Sequence, residues 1–157
     1  MADTRWLDAG EQQAWRAFIE ASRLLLDQLD RELQRDSGIP HAYYEILVRL
    51  SEQPDRSLRM SELAERSQSS RSRVSHAVAR LEEKGWVRRE AIVHDKRGAL
   101  AVLTDRGFAA LAAAAPGHVE GVRTHLLDQL TRDQVAQLRT ISEAIRDPLQ
   151  ERQGDAP

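Results

Sequence analysis

The chain has 157 residues, a formal net charge of −2 and no cysteine. This length can bury the core of one domain, with or without an extension. The absence of cysteine excludes disulfides, thiolate metal ligands and switching by cysteine oxidation. No apolar run approaches membrane-spanning length and residues 1–4 begin no signal peptide, so we expect a soluble cytoplasmic protein that contacts no membrane.

The first predicted element is a long amphipathic helix over residues 11–36. Its apolar residues follow helical spacing, and the sequence Ser37-Gly38-Ile39-Pro40 is expected to end it. The stripe consists of Trp15, Phe18, Ile19, Leu25, Leu26, Leu29 and Leu33. A second helix over residues 41–50 is predicted to face the core, with Tyr44, Leu47 and Leu50 packing on a later helix.

Residues 60–84 predict two helices separated by a tight turn. The first is short, covers residues 60–67 and has Ser61 as its expected N-cap. The second has Ser70 as its expected N-cap and ends at Gly85. Its apolar positions at i, i+3, i+4 and i+7 are Val74, Ala77, Val78 and Leu81. This arrangement is typical of a helix-turn-helix, in which the first half of the second helix enters the DNA major groove.

The opposite face of that second helix carries small hydroxyls, an imidazole and arginines in place of Glu-Lys pairs. Side chains that can bond base edges are Ser72, Arg73 and His76. The residues expected to contact DNA elsewhere on this helix, mainly phosphates, are Ser70, Arg71, Ser75 and Arg80. An ordinary amphipathic helix with a solvated outer face is the alternative.

Two short runs of strand-forming residues, 86–93 and 99–103, predict a β-hairpin with its tip at residues 94–98. A basic tip beside a recognition helix can enter the minor groove, which favours Arg97 as the inserted side chain, with Lys96 beside it. Asp95 is expected to pair with Arg97 and fix its direction. Arg88 and Arg89 are expected to anchor the strand to phosphates. A solvated hairpin turn is the alternative.

The C-terminal part predicts further helices. Thr104 is the expected cap of a helix that Pro116-Gly117 should interrupt, with the helical pattern resuming over residues 118–130. Thr131 is the expected cap of the last helix, which should give way to a polar tail over residues 150–157. Both terminal regions carry apolar stripes without an obvious partner, so packing across a two-fold axis is expected, with an intramolecular bundle as the alternative.

Positive charge is concentrated in the central segment. Between Arg66 and Arg106 lie ten basic and five acidic residues, a balance of +5, so the rest of the chain carries −7 to give the overall −2. This distribution predicts nucleic-acid binding confined to one face.

The central segment resembles the MarR family (multiple antibiotic resistance regulators). The matching residues are Leu63-Ala64, Ser70 to Leu81-Glu82, Gly85-Trp86-Val87-Arg88-Arg89, Asp95-Lys96-Arg97 and Leu103-Thr104-Asp105-Arg106-Gly107. The predicted fold is mainly α with a small β-hairpin wing: a winged helix-turn-helix over residues 40–103 and a helical dimerisation region from residues 1–39 and 104–157. The resemblance implies a homodimer that binds a near-palindromic operator, usually as a repressor and often released by a small aromatic or anionic ligand.

In that family the ligand cleft lies near the junction of the first, second and fifth helices. The resemblance therefore implies five candidate lining residues in this chain: Trp15, Arg16, His41, Tyr44 and His118. Packing or surface roles are the alternative at each position.

Features of an enzyme are missing from the sequence, which has no Gly-rich phosphate loop, nucleophile elbow or paired-histidine zinc motif. No cofactor or metal is expected. His118 and His125 lie two helical turns apart, about 10 Å, which is too far for both to bind one metal ion. Metal sensing through His118, Glu120 and a dimer partner is a minor alternative. Three function classes stay open: a ligand-responsive repressor, a constitutive or architectural DNA-binding protein, and a protein-interaction winged helix.

Overall fold

The computed structural model describes residues 4–93 and 95–154, without the side chains of residues 96, 97, 153 and 154. The described part confirms the predicted fold class, with six α-helices and one small antiparallel sheet. The elements are α1 (Ala9–Ser37), α2 (His41–Ser51), β1 (Ser57–Arg59), α3 (Met60–Arg66), α4 (Arg71–Glu83), β2 (Val87–Ile92), β3 (Asp95–Leu103), α5 (Asp105–His125), a 3-10 helix (Leu127–Gln129) and α6 (Arg132–Gly154). The chain divides into two compact units, Met1–Val119 and Glu120–Pro157.

Helix α1 confirms the long N-terminal helix and has a cap at each end. The Asp8 carboxylate accepts from the Glu11 N–H at 2.8 Å, and the Glu11 carboxylate accepts from the Asp8 N–H at 2.9 Å. This reciprocal pair satisfies two backbone donors that the first turn leaves open. The helix ends at Gly38, whose φ of 65° is a left-handed conformation that costs glycine little.

The core of the first unit joins α2 to the helix-turn-helix. Leu47, Leu50, Leu63, Val78 and Leu81 are inaccessible to solvent and belong to one cluster. The predicted inner face of α4 is buried along its whole length, which leaves the opposite face in solvent. Burial on one side therefore fixes which side chains of α4 can meet a partner.

The two predicted helix caps in the helix-turn-helix have different outcomes. Ser70 caps α4 as predicted, because its hydroxyl oxygen accepts from the Arg73 N–H at 3.3 Å. The prediction for Ser61 is wrong: α3 begins at Met60, and its N-cap, Arg59, makes no side-chain capping bond. Arg59 also pairs with Leu100 in the sheet, so the chain enters α3 directly from strand β1.

The sheet has one strand more than the predicted hairpin. Its order is β1-β3-β2, with both neighbouring pairs antiparallel. The predicted five-residue tip is too long, because strand pairing already begins at Ile92 and Asp95. The next pair is Ala91 with Ala99, so residues 96–98 form a bulge within β3. Of the predicted tip, His94 and the side chains of residues 96 and 97 lie outside the described part.

The start of α5 is hydrogen-bonded to residues 85 and 86, which connect α4 to β2. The Thr104 hydroxyl donates to the Gly85 carbonyl at 2.7 Å and accepts from the Gly107 N–H at 3.0 Å, which confirms Thr104 as the cap. The Thr104 N–H donates to the Trp86 carbonyl at 3.0 Å. A Cβ at Gly107 would collide with that same carbonyl. We call these four residues the Thr104 joint.

Helix α5 continues through Pro116, so the predicted interruption is wrong. Pro116 has no N–H, so the carbonyl of Ala112 loses its helical hydrogen bond. Ala112 is exposed, so water can donate to that carbonyl instead. The second unit contains the last turns of α5, the 3-10 helix and α6. The helix predicted to reach Leu130 ends at His125 and is followed by the 3-10 helix.

Helix α6 begins at the predicted cap. The Thr131 hydroxyl accepts from the Gln134 N–H at 3.2 Å, and the Gln134 side chain accepts from the Thr131 N–H at 2.9 Å. The polar tail predicted from residue 150 is wrong for its first five residues, which are helical. Gln, Glu and Arg form helices well in solvent, so polarity alone did not end this one. None of the described helices is both long and apolar enough to cross a lipid bilayer.

Candidate nucleic-acid interface

The first half of α4 presents polar side chains that are free within the described chain. Arg71, Ser72, Arg73 and His76 are exposed. None of these side chains makes a hydrogen bond or ion pair with another described residue. Ser72 and His76 lie opposite the buried stripe that contains Val74, and Arg73 lies beside that outer face. Arg71 begins the helix, so its first half offers donors that have no partner among the described residues. We call these four residues the reading set.

Of the other arginines predicted to contact DNA, the three whose side chains the structure describes each hold a carboxylate of this chain. The pairs are Arg80 Nη1 with Glu83 Oε2 at 2.9 Å, Arg88 Nη2 with Glu90 Oε1 at 2.7 Å, and Arg89 Nε with Glu82 Oε2 at 3.4 Å. The hydrogen bond that Arg80 donates to the Glu83 carboxylate raises the pKa of the Arg80 guanidinium further above its already high value. A paired guanidinium must exchange its carboxylate for a phosphate, so it adds less to DNA affinity than a free one.

A cavity of about 500 Å³ lies between α4, the start of α3 and the sheet. Three arginines line it, Arg59, Arg71 and Arg89, together with Ser75 and Asp95. Arg59 is paired with Asp95 and Arg89 with Glu82, whereas Arg71 has no carboxylate partner among the described residues. The unpaired guanidinium of Arg71 favours an anionic partner such as a phosphate backbone. The cavity therefore joins the reading set to the sheet in one positively charged surface.

Asp95, at the turn end of the β2–β3 hairpin, is held by two hydrogen bonds. Its Oδ2 accepts from Arg59 Nη1 at 3.0 Å, and its Oδ1 accepts from the Gly98 N–H at 3.0 Å. A Cβ at Gly98 would collide with this carboxylate, so any other residue there would displace the Asp95 side chain. The predicted partner of Asp95 is the side chain of Arg97, which lies outside the described part, so that pairing stays a prediction.

Arg59 was not among the predicted site residues. Its contact with Asp95 joins residues 36 positions apart. That contact depends on the pairing of β1 with β3, and β1 has only three residues. A strand of this length carries too little alternation to be recognised from sequence.

Three of the five candidate ligand-binding residues lie together. The His118 ring centroid is 5.5 Å from that of His41 and 4.6 Å from that of Tyr44. Burial lowers the pKa of His118 below its ordinary value, His41 lowers it further, and Glu45 acts in the opposite direction. The buried Nδ1 atom of His118 has no hydrogen-bond partner among the described residues. This cluster is a site of incomplete polar pairing.

The remaining two candidates, Trp15 and Arg16, are not brought to this cluster. Leu29 lines a small cavity with His118, and Trp15 precedes Leu29 by fourteen helical residues, about 20 Å along α1. The cavity beside His118 has a volume of about 10 Å³, room for about one water. In this conformation the His41, Tyr44 and His118 rings pack on one another. Among the described residues, no three His, Asp or Glu side chains are grouped to hold a metal ion.

Comparison with known proteins identifies the family. A family model described as the MarR family matches residues 37–98. The chain is similar to Sco3205, a MarR family transcriptional regulator from Streptomyces coelicolor solved in complex with DNA, at 54% identity over 93% of this chain and 92% of that one, with a TM-score of 0.90. No curated protein sequence matches the chain.

Two further structures extend the comparison. The chain is similar to AbsC, a MarR family transcriptional regulator from Streptomyces coelicolor, at 40% identity over 98% of this chain and all of that one, with a TM-score of 0.85. A mutant of MarR from E. coli complexed with operator DNA shares the fold, at 22% identity over 89% of this chain and 99% of that one, with a TM-score of 0.76. Because the identity to Sco3205 extends over nearly the whole length of both chains, this chain belongs to the MarR family of transcriptional regulators.

Proposed function

We propose that this protein is a homodimeric regulator in the cytoplasm that represses transcription by binding a near-palindromic operator. Residues 40–103 form the DNA-binding module in this proposal, and residues 1–39 and 104–157 form the dimerisation region. The observation that carries it is the reading set, four exposed side chains free of partners within the described chain on the first half of α4. The DNA in the Sco3205 structure supports the same partner here.

Each part of the reading set has a distinct role in the proposal. Arg73 can bond O6 and N7 of guanine bidentately, while Ser72 and His76 can meet several base edges. Arg71 lies at the first residue of α4 beside the cavity, where a phosphate can bond it. Lys96 and Arg97 on the wing enter the adjacent minor groove.

Dimerisation is supported by large apolar side chains left in water. In the first unit, Trp15 and Phe18 of α1 are 57% and 48% exposed. In the second unit, Ile141, Ile145 and Leu149 of α6 are also exposed and lie on one helical face. Burying one such side chain contributes about 1.5–3 kcal/mol. A two-fold partner would bury them and would place two reading helices in successive major grooves.

The experiment is a selection of duplexes from a random pool with the full chain, combined with light scattering. We expect a near-palindrome with half-sites about 10 base pairs apart and a mass of two chains. Failure to enrich any sequence contradicts the proposed recognition, and a single-chain mass at micromolar concentration contradicts the dimer.

A matched pair of α6 variants separates dimerisation from charge. Ile145→Lys places a charge on the exposed apolar face, whereas Thr140→Lys adds the same charge on the other side of the helix. Only Ile145→Lys should give monomers and lose operator binding. Equal behaviour of the two variants would exclude this face from the dimer contact.

Release by a small aromatic or anionic ligand is the finer part of the proposal. The support is the unpaired Nδ1 of His118 beside His41 and Tyr44. The cavity that His118 lines with Leu29 is only about 10 Å³, so a ligand that binds there must widen it. A thermal-shift titration with salicylate tests it. A rise in Tm that His118→Ala abolishes supports ligand control. No rise favours the alternative, a constitutive regulator.

A further inference from the structure

Arg89, on strand β2, is bonded to α4 at two places. Its backbone N–H donates to Glu82 Oε1 at 2.9 Å, and its Nε lies 3.4 Å from Glu82 Oε2. Its Nη2 donates to the Ser75 carbonyl at 2.6 Å and to the Ser75 hydroxyl at 3.3 Å. We call Ser75, Glu82 and Arg89 the clasp. Ser75 and Glu82 are seven residues apart, two turns or about 10 Å along one face of α4.

The clasp restrains the half of α4 that reads DNA. The covalent connection from α4 to β2 runs through residues 84–86 and fixes only the C-terminal end of the helix. Ser75 lies in the other half, between Arg73 and His76 of the reading set. A bidentate contact to a base edge requires accurate placement of the helix in the groove. The core packing of Val74 and the turn from α3 also hold this half of α4. The bond from Arg89 to Ser75 adds a direct attachment to strand β2, which restrains the angle between α4 and that strand.

The guanidinium of Arg89 is committed within the chain. Nε faces the Glu82 carboxylate and Nη2 donates twice to Ser75, so two of its three nitrogens are used. Arg89 and Glu82 are both about one-third exposed, less than the Arg80 and Glu83 side chains at 53% and 62%. Glu83 bonds Arg80 of its own helix, so that pair attaches α4 to no other element. The two adjacent glutamates therefore differ in structure while carrying the same charge.

We infer that Glu82 and Arg89 are positioning residues for sequence recognition, which hold the reading half of α4 at a fixed angle to the wing through Ser75. Arg89 acts through the helix and not as a phosphate anchor. This inference rests on the proposed DNA-binding function and deepens it. It also changes the role expected for Arg89 from the sequence.

The test compares Glu82→Ala with Glu83→Ala on the selected operator and on a scrambled duplex of equal length. Each change removes one negative charge from the same end of α4, so charge alone predicts tighter binding to both duplexes in both variants. Loss of the clasp predicts in addition that Glu82→Ala lowers the ratio of operator to scrambled affinity about tenfold, the effect of losing one hydrogen bond to a charged group. Glu83→Ala should leave that ratio unchanged.

Arg89→Ala separates positioning from phosphate binding through the salt dependence of affinity. A lost phosphate contact reduces the slope of log K against log salt concentration by about 0.9, whereas a lost positioning residue lowers the affinity ratio and leaves the slope unchanged.

The double variant Glu82→Ala/Arg89→Ala should lower the ratio no further than either single change, because both remove the same clasp. Thermal unfolding of each variant confirms that the fold is retained, and Glu82→Gln, which keeps an acceptor oxygen for the Arg89 N–H, should recover part of the ratio.

Two results would overturn the inference: an unchanged affinity ratio in both Glu82 variants, or a slope for Arg89→Ala that is shallower by the value of one phosphate. A wild-type protein that does not distinguish the operator from the scrambled duplex would instead refute the proposed function. The two failures are therefore distinguishable in one set of titrations.

Discussion

Replacing Arg73 by alanine tests the proposed reading of bases directly. The Arg73 side chain is exposed and has no partner in the described chain, and the bond that Ser70 makes is to its backbone N–H, which alanine keeps. Alanine also favours the helix. The change should therefore leave the fold intact and remove only a contact to DNA. A bidentate contact to guanine contributes about 1–3 kcal/mol of discrimination, which corresponds to about a 5- to 150-fold loss of operator affinity.

The assay is fluorescence anisotropy with the labelled operator and a scrambled duplex at two salt concentrations. We expect Arg73→Ala to weaken operator binding by that factor while changing scrambled binding much less. Arg80→Ala is the matched control, since it removes the same charge from the same helix but breaks the pair with Glu83. It should weaken both duplexes by similar factors. The reasoning is refuted if Arg73→Ala also weakens both duplexes equally, which would assign Arg73 to a phosphate.

Three further predictions concern packing, pH and the wing. Gly107→Ala should lower the free energy of unfolding by about 3 kcal/mol, the upper end of overpacking costs, because the added Cβ meets the Trp86 carbonyl. Gly117→Ala, in the same helix, is the control: its Cβ meets nothing within 4 Å, so the free energy of unfolding should rise by about 0.5–1 kcal/mol. Urea unfolding measures both changes. Because the folded pKa of His118 is lowered, the unfolded chain binds its proton first as pH falls below about 6.5. His118→Gln should therefore lose less unfolding free energy than wild type between about pH 7.5 and about pH 5.5, and an equal loss contradicts the shift. Asp95→Ala removes the bonds that hold the β3 bulge to Arg59 and to the Gly98 N–H, so the wing should lose its fixed position and operator affinity should fall. A freed Arg59 and the lost negative charge alone predict the opposite, so tighter operator binding would contradict a positioning role for Asp95.

The elements that could be predicted from sequence are those whose signal is local. The buried face of α4 follows from apolar spacing, and the caps at Ser70 and Thr131 follow from residues three positions apart. Pro116 shows the limit of a local rule, because a helix with an exposed carbonyl one turn earlier tolerates the missing N–H.

The pairing of charged side chains could not be predicted in the same way. Arg73, Arg80 and Arg89 look equivalent in sequence, yet one is free within the described chain and two hold glutamates. The Arg80–Glu83 pair lies within α4, whereas the pairing of Arg89 with Glu82 depends on how β2 packs beside α4. That packing is set by the whole core. The contact of Arg59 with Asp95 depends similarly on the unpredicted strand β1.

The Thr104 joint determines how motion passes through the first unit. A flexible loop between the wing and α5 would absorb a small rotation of that helix. Here the first turn of α5 is bonded to Gly85 and Trp86, and Gly107 is in contact with the Trp86 carbonyl with no space between them. Because these contacts leave no room between the two segments, we expect a displacement of the first turn of α5 to displace Gly85 and Trp86, which directly follow α4. We therefore expect a change along α5 to reach α4 through the Thr104 joint, without any contact to the reading set.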